Sequence, residues 1–381
     1  MSLTRVIVDL DALKSNLELV RHRVGNDVGI IAVVKSDAYG LGAIEVARTL
    51  ASCGVEYMAV GCVDEACELR QSGIETPILV IGIITEDEIS AALECDISLT
   101  LVSLPFAERL HQMAMAARKV VKVHCNVDTG MGRIGFDPQT TATQLGELVR
   151  FSNIDIEGVY THLVQAHIKG DAFTRSQLKT FKSVLKQIDK LGIPYEFTHV
   201  ANSAAIFNSY DAGSFDAVRP GLVLYGAMPD ISMDSPAGLR DVVRVESRIS
   251  FLKHVPAATP IGYGKTYVTE SPTLIATVPA GYANGIPYGL SNRGSVLIRG
   301  HRCPIVGTVT MEQIMVDVGG VPDVAVGDVV TIIGSDGDET VRIEDIAQTA
   351  GIVPHAVLTG FGTRIKRVYK GGETTTLARN D

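Results

Sequence analysis

The sequence predicts an α/β protein, a (β/α)8 TIM-type barrel followed by a C-terminal, mainly β, barrel-like domain. Three observations carry this. Residues 30–220 alternate short β-branched runs with longer amphipathic stretches; eight such runs can be counted; and after about residue 240 closely spaced β segments replace the long helical patterns. At 381 residues the chain is long enough for one large core and a smaller one.

The eight strands are expected at residues 30–34, 57–61, 77–82, 97–102, 120–127, 156–163, 197–201 and 216–219. Helical patterns lie between them, among them 43–53, 64–71, 104–118 and 174–191, several opened by Asp, Ser or Thr or closed by Gly. An open doubly wound sheet also alternates β and α, but it usually carries a GxGxxG turn after its first strand. Here that strand runs into Val34-Lys35-Ser36-Asp37-Ala38-Tyr39-Gly40, which favours the barrel. The later β segments are expected at 246–255, 274–279, 296–299, 314–318 and 329–334, with 343–351 as the one helical stretch and a Pro-, Ser-, Asp- and Gly-rich linker at 228–238. The expected division is a barrel over 10–235 and a β domain over 236–381, with a first strand within residues 1–9 packing with the latter and a polar tail at 371–381.

Composition narrows the partners. Hydrophobic residues at 46% and charged residues at 20% exclude a largely disordered chain. The net charge of −9, with no basic run, argues against a nucleic acid or an anionic membrane and points to a small molecule. Apolar runs such as 77–84 are too short to span a bilayer, and residues 1–10 lack the apolar stretch of a signal peptide. The six cysteines form no CxxC pair, so neither a zinc site nor a disulfide framework is expected, and a reducing cytoplasm fits.

In such a barrel, the C-terminal ends of the strands face the active site. That rule selects Lys35 and, on the following loop, Tyr39; Asp128 to Arg133; His162; Asn202 and Ser203; and Arg219, Gly221 and Leu222. Hydroxyls and amides after the seventh and eighth strands are where barrels commonly hold a phosphate, and a lysine across the mouth could form a Schiff base. Each residue also has a plainer reading: a solvated lysine, a hydrogen-bonded core histidine, an ion-paired arginine. Their convergence at one mouth favours chemistry.

The run from Ala32 to Gly42 resembles the pyridoxal-phosphate lysine motif of the alanine racemase family. Further matches follow in family order: Asp9 to Leu13, Asp128 to Gly135, Tyr160-Thr161-His162, Ala201 to Ala205, Val218 to Gly221, Gly262-Tyr263-Gly264 and Met311 to Asp317. The resemblance implies a homodimeric isomerase with shared active sites, making D-alanine for peptidoglycan in the cytoplasm. Lys35 would carry pyridoxal 5'-phosphate and act as one base, with Tyr263 of the partner subunit as the opposed base. Tyr39, Ser203, Asn202 and the amides of Gly221 and Leu222 would hold the cofactor; Arg219, linked to His162, would meet its ring nitrogen. Arg133 would contact the cofactor or the substrate carboxylate, and Met311 and Tyr282 would line the substrate mouth. No metal is implied.

Four positions depart from the family pattern. Asn126 stands where many members have a carbamylated lysine seven residues before the motif arginine, which suggests that chloride or another anion, or a water, completes the contact to Arg133. Glu312 replaces a usual Asp, Asn284 stands in a usual Gly-Tyr-Ala-Asp-Gly, and Thr363 sits near a phosphate-contacting tyrosine of some members. These bear on substrate identity, with serine or another small amino acid as alternatives to alanine. Decarboxylases of the same architecture carry a Gly-rich phosphate loop and a late Cys motif that this chain lacks, and single-barrel cofactor carriers have no counterpart of Tyr263.

Overall fold

A computed structural model of the chain describes residues 3–208, 210 and 212–371; most of the polar tail, 372–381, lies outside the described residues. The chain divides into two compact units, one formed by Leu17–Ala38 and Ala43–Gly221, the other by Met1–Asn16, Tyr39–Gly42 and Leu222–Asp381.

The first elements are strand β1 (Arg5–Asp9) and helix α1 (Leu10–Val24). Eight parallel strands then close into a barrel: β2 (Gly29–Val33), β3 (Tyr57–Val60), β4 (Ile78–Val80), β5 (Ser98–Leu101), β6 (Val121–Asn126), β7 (Ile154–Tyr160), β8 (Phe197–Asn202) and β9 (Ala217–Arg219). Closure comes from β2 pairing with β9, Gly29 opposite Ala217 and Ile30 opposite Val218. Strands β3, β4 and β5 are buried at every residue, as expected of parallel strands covered on both faces. The crossover elements are α2 (Lys35–Gly40), α3 (Ala43–Ser52), α4 (Val63–Gln71), α5 (Ile89–Glu94), α6 (Leu104–Ala116), α7 (Thr141–Leu148), α8 (Ala172–Lys190) and α9 (Ser203–Phe207). Helix α8 shows why such stretches fold: Asp171 caps it by accepting from the Thr174 amide at 2.7 Å, and Leu178, Phe181, Val184 and Ile188 form its buried stripe.

Two ladders in this barrel are irregular. Between β6 and β7 the register passes from Val123 opposite Ile156 to His124 opposite Gly158, so Glu157 is the extra residue of a bulge. Between β8 and β9 a second shift separates His199 from Asn202.

The cysteine expectation is corrected here. Cys67 of α4 and Cys95, just after α5, form a disulfide with Cα atoms 5.5 Å apart. Their separation of 28 residues is about one β/α repeat, and successive repeats place neighbouring outer helices side by side, which spacing in sequence does not reveal.

In the second unit, β10 (Val243–Arg248), β11 (Phe251–Val255), β12 (Pro260–Ile261), β13 (Tyr267–Val268), β14 (Thr273–Val278), β15 (Ser295–Ile298), β16 (His301–Pro304), β17 (Ile314–Asp317), β18 (Val329–Asp336), β19 (Glu339–Val341) and β20 (Lys366–Lys370) build a mainly β structure. The largest sheet runs β16-β15-β18-β10-β1-β20, with β19 on β18; β11-β14-β17 form another, and β12 and β13 a hairpin. Strand β1 is antiparallel to β10 and parallel to β20. The segment 246–255, expected as one strand, is two: the chain breaks at Ile249 and Ser250, and β10 and β11 enter different sheets. A second helix, α11 (Pro354–Thr359), joins the expected α10 (Ile343–Ala350). Its six residues hold too few turns for a periodic pattern, and only Pro354 at its start marks it.

Candidate active site

Lys35 begins α2, which is not the loop expected from sequence but a left-handed turn. Ser36, Asp37, Ala38 and Tyr39 have φ between +50° and +57°, and Gly40 has +79°. Left-handed backbone costs an L-residue about 1–2 kcal/mol, so four in succession need support. The Ser36 amide donates to Glu65 Oε1 at 2.6 Å, the Ala43 amide to Asp37 Oδ1 at 2.8 Å, and the Ala38 amide to the Val34 carbonyl at 2.9 Å. Glu65 also accepts from the Gly61 amide at 2.7 Å, tying the turn to the end of β3. Burial lowers the Lys35 pKa, the Arg133 charge lowers it further, and Glu65 opposes both. The neutral amine, the form that can act as nucleophile or base, is thereby favoured.

Arg219, at the end of β9, is 4% exposed. Its Nη1 donates to His199 Nδ1 at 2.7 Å and to the His199 carbonyl at 2.9 Å; Nη2 donates to the Thr161 and Val200 carbonyls at 2.8 and 3.1 Å and to His162 Nδ1 at 3.3 Å. Among the described residues it has no carboxylate ion pair, which corrects the plain reading of an ion-paired arginine. Burial brings its pKa down to about 10, with Arg133 contributing and Tyr160 opposing, so it stays a cation at neutral pH. Burial likewise pulls His162 down to about 3, helped by Arg219, Arg133 and Lys35, and leaves a neutral imidazole.

Strand β8 delivers Asn202 and Ser203 together. Asn202 Oδ1 accepts from the Ala205 amide at 3.1 Å and caps α9, and the Gly221 amide donates to Ser203 Oγ at 2.9 Å. Arg133 is exposed and makes no hydrogen bond or ion pair among the described residues. Asn126 is buried, its amide donating to the Ile134 carbonyl at 3.4 Å.

The second unit holds the other expected residues. Tyr39 is buried with its ring 4.8 Å from that of Tyr225 and 5.9 Å from that of His355, and burial raises its hydroxyl far above the usual range. Leu222 opens a buried turn that runs to Tyr225. Tyr263, between two glycines at φ +73°, is 75% exposed, and Tyr282 and Met311 are exposed as well. The last two lie on adjoining loops, since the Tyr282 amide donates to the Thr310 carbonyl and the Ala283 amide to the Met311 carbonyl, both at 3.0 Å. Glu312 forms a bidentate pair with Arg364, Asn284 Oδ1 accepts from the Gly281 amide at 3.1 Å, and Thr363 is exposed.

Residues 8–229 match the family described as alanine racemase, N-terminal domain, and residues 242–369 the alanine racemase, C-terminal domain. The chain belongs to the alanine racemase family. An alanine racemase of Halothermothrix orenii is 41% identical over 95% of this chain and 96% of its own. The alanine racemase of a D-cycloserine-producing Streptomyces lavendulae superposes with a TM-score of 0.93 at 34% identity, covering 98% of each chain. That of Bartonella henselae, described with covalently bound pyridoxal phosphate, gives 0.87 at 30% identity over 96% of this chain and 99% of its own. Alanine racemases are pyridoxal-phosphate-dependent isomerases, and the barrel's donors suit that cofactor: an amine of lowered pKa, a hydroxyl and amide pair at Ser203 and Gly221, and a buried arginine whose acceptors among the described residues are neutral.

Four residues escaped the sequence reading: Glu65, and His199, His124 and Glu157 behind Arg219. For the strand residues the signal was a charged or imidazole side chain inside an apolar run, as in Val121-Lys122-Val123-His124 and Ile154-Asp155-Ile156-Glu157; Glu65, in the first turn of α4, had none.

Proposed function

We propose that this chain is a homodimeric, pyridoxal-phosphate-dependent racemase that interconverts L- and D-alanine with two bases, Lys35 on one face of the substrate and Tyr263 of the partner subunit on the other. The observation that carries it is the pairing of a half-buried Lys35 of lowered pKa with a buried Arg219 at strand ends of one barrel. In this reading residues 10–235 supply the cofactor barrel, while 236–381 with residues 1–9 supply the second base.

The bound cofactor withdraws electrons from the substrate Cα and so acidifies its proton. Lys35 would carry it; Tyr39, Ser203, Gly221 and Leu222 would hold its phosphate, with Asn202 bracing that loop, and Arg219 its ring nitrogen. An arginine only donates, so it leaves that nitrogen unprotonated and moderates the charge drawn from Cα, which disfavours transamination. Lys35 removes or returns a proton on its face, and the phenol of Tyr263 does so on the other. A single base would tend to return the proton to the face it left. Arg133, without a hydrogen bond or ion pair among the described residues, is available for the substrate carboxylate, and chloride or another anion beside Asn126 would complete its contacts. Met311 and Tyr282 line the substrate mouth. The exposed aromatic and apolar side chains Tyr263, Tyr282, Tyr288 and Met311 support a face that a second copy covers. The physiological role would be supply of D-alanine for peptidoglycan in the cytoplasm.

The test is to incubate the holoenzyme with L-alanine, L-serine and other L-amino acids and follow the D-enantiomer. Racemisation fastest with alanine is expected; release of carbon dioxide, or no D-amino acid from any of them, would sink the reading. Tyr263→Phe should lower turnover about a thousandfold, roughly 4 kcal/mol of transition-state stabilisation.

A further inference from the structure

We infer that Glu157 is a remote positioning residue for Arg219, acting through His124 and His199 as a chain of hydrogen bonds of one fixed polarity across the barrel interior.

The polarity follows from what each group can do. A guanidinium only donates, so His199 Nδ1, 2.7 Å from Arg219 Nη1, must accept, and the His199 proton sits on Nε2. That proton points at His124 Nδ1 at 2.8 Å, which leaves the His124 proton on Nε2, facing Glu157 Oε2 at 3.0 Å. The carboxylate accepts at the far end. The chain thus joins a buried cation to a buried anion through two neutral imidazoles, and reversing it requires a deprotonated arginine and a protonated carboxyl. Both imidazoles are fully buried and Glu157 is 2% exposed.

The barrel is shaped around this chain. Glu157 is the bulged residue of β7, and bulges re-aim side chains. Gly158 leaves room for the next link, since a Cβ there would lie 2.5 Å from His124 Nδ1. Tyr160 stacks on His199 with centroids 4.6 Å apart, and its ring lies 5.1 Å from the Arg219 guanidinium carbon. Glu157 is held by Ser98 Oγ at 3.0 Å, by Lys122 Nζ at 2.6 Å and by the Tyr57 hydroxyl. Although burial pushes its carboxyl up, the bonds from His124, Lys122 and Tyr57 bring it down to about 2, so it stays ionised.

The consequence concerns Arg219. Among the described residues its direct acceptors are neutral, and the anion joined to it by this continuous chain of hydrogen bonds is Glu157. That anion fixes which His199 nitrogen offers a lone pair and polarises the chain toward the guanidinium. The functional consequence rests on the reading of Arg219 as the cofactor-facing arginine; the proton positions do not.

The test uses holoenzyme with 15N-labelled histidine rings, in three forms: parent, Glu157→Gln and Lys122→Met. In the parent, His124 and His199 should both be neutral with the proton on Nε2; a proton on Nδ1 of either would overturn the chain. Glu157→Gln keeps the shape and removes the charge, whereas Lys122→Met, at a half-exposed site, removes a competing donor and leaves His124 a stronger acceptor. The His199 Nδ1 resonance should therefore move in opposite directions in the two variants. No movement, or movement in the same direction, would mean that Glu157 merely fills the core. With alanine, Glu157→Gln should lower kcat about tenfold with KM within about twofold, the scale of one charged hydrogen bond, and Lys122→Met should stay within about twofold. A shifted resonance with unchanged kcat would also overturn the positioning role, and because the resonances do not depend on racemisation, failure of this chain is distinguishable from failure of the racemase reading.

Discussion

Arg219 keeps a full charge in the barrel interior, and among the described residues its acceptors are carbonyls and imidazoles. Its two Nη atoms reach five of them, a fork that an ammonium on a flexible stem cannot reproduce. Arg219→Lys should therefore lower turnover by about a hundredfold, the cost of roughly two charged hydrogen bonds, while still binding the cofactor; kcat and the absorption spectrum of the holoenzyme check the two halves. Turnover within a factor of two or so would show that the fork is not needed. Arg219 was legible in the sequence because it ends a strand inside a run of family motifs. Of its surroundings, the His162 contact followed from the family resemblance, whereas the carbonyls of Thr161 and Val200 carry no side-chain signature.

At the scale of elements, the left-handed turn after Lys35 stands out. The eight barrel strands were readable from β-branched runs because burial on both faces leaves so few polar residues in them. The turn was not, because Ser36, Asp37, Ala38 and Tyr39 have no preference for positive φ and adopt it only under tertiary constraint. Glu65, bridging the Ser36 and Gly61 amides, supplies part of that constraint. Glu65→Ala should cost about 1–3 kcal/mol, measured as a lower urea midpoint, with a larger proportional loss in kcat than in cofactor retention. An unchanged midpoint would assign the turn's support elsewhere. The α4–α5 disulfide was illegible for a similar reason: only the folded barrel brings Cys67 and Cys95 together. Reducing it should lower stability by about 2–4 kcal/mol, and under denaturing, non-reducing conditions four of the six cysteines should react with a thiol reagent.

At the scale of the whole molecule, the buried imidazoles set the response to acid. Burial lowers the pKa of His124, His162 and His199, whereas the same groups in the unfolded chain protonate near 6.5. Below about pH 6.5 the unfolded chain binds more protons, so stability falls as the pH falls. Glu157, near 2 when folded and about 4.3 when unfolded, adds to the loss below about pH 4.3, in the same direction. The urea midpoint should decline steadily from pH 7 to pH 5 and more steeply below pH 4.3; a flat profile over the first interval would contradict the neutral imidazoles. The two-base assignment is the central claim, and it is tested most directly by exchange at Cα in deuterated water. The parent should place deuterium in both enantiomers, starting from either one. Tyr263→Phe should retain exchange of one enantiomer without inversion and lose it for the other. Parent-like exchange and inversion from both enantiomers in that variant would contradict the account.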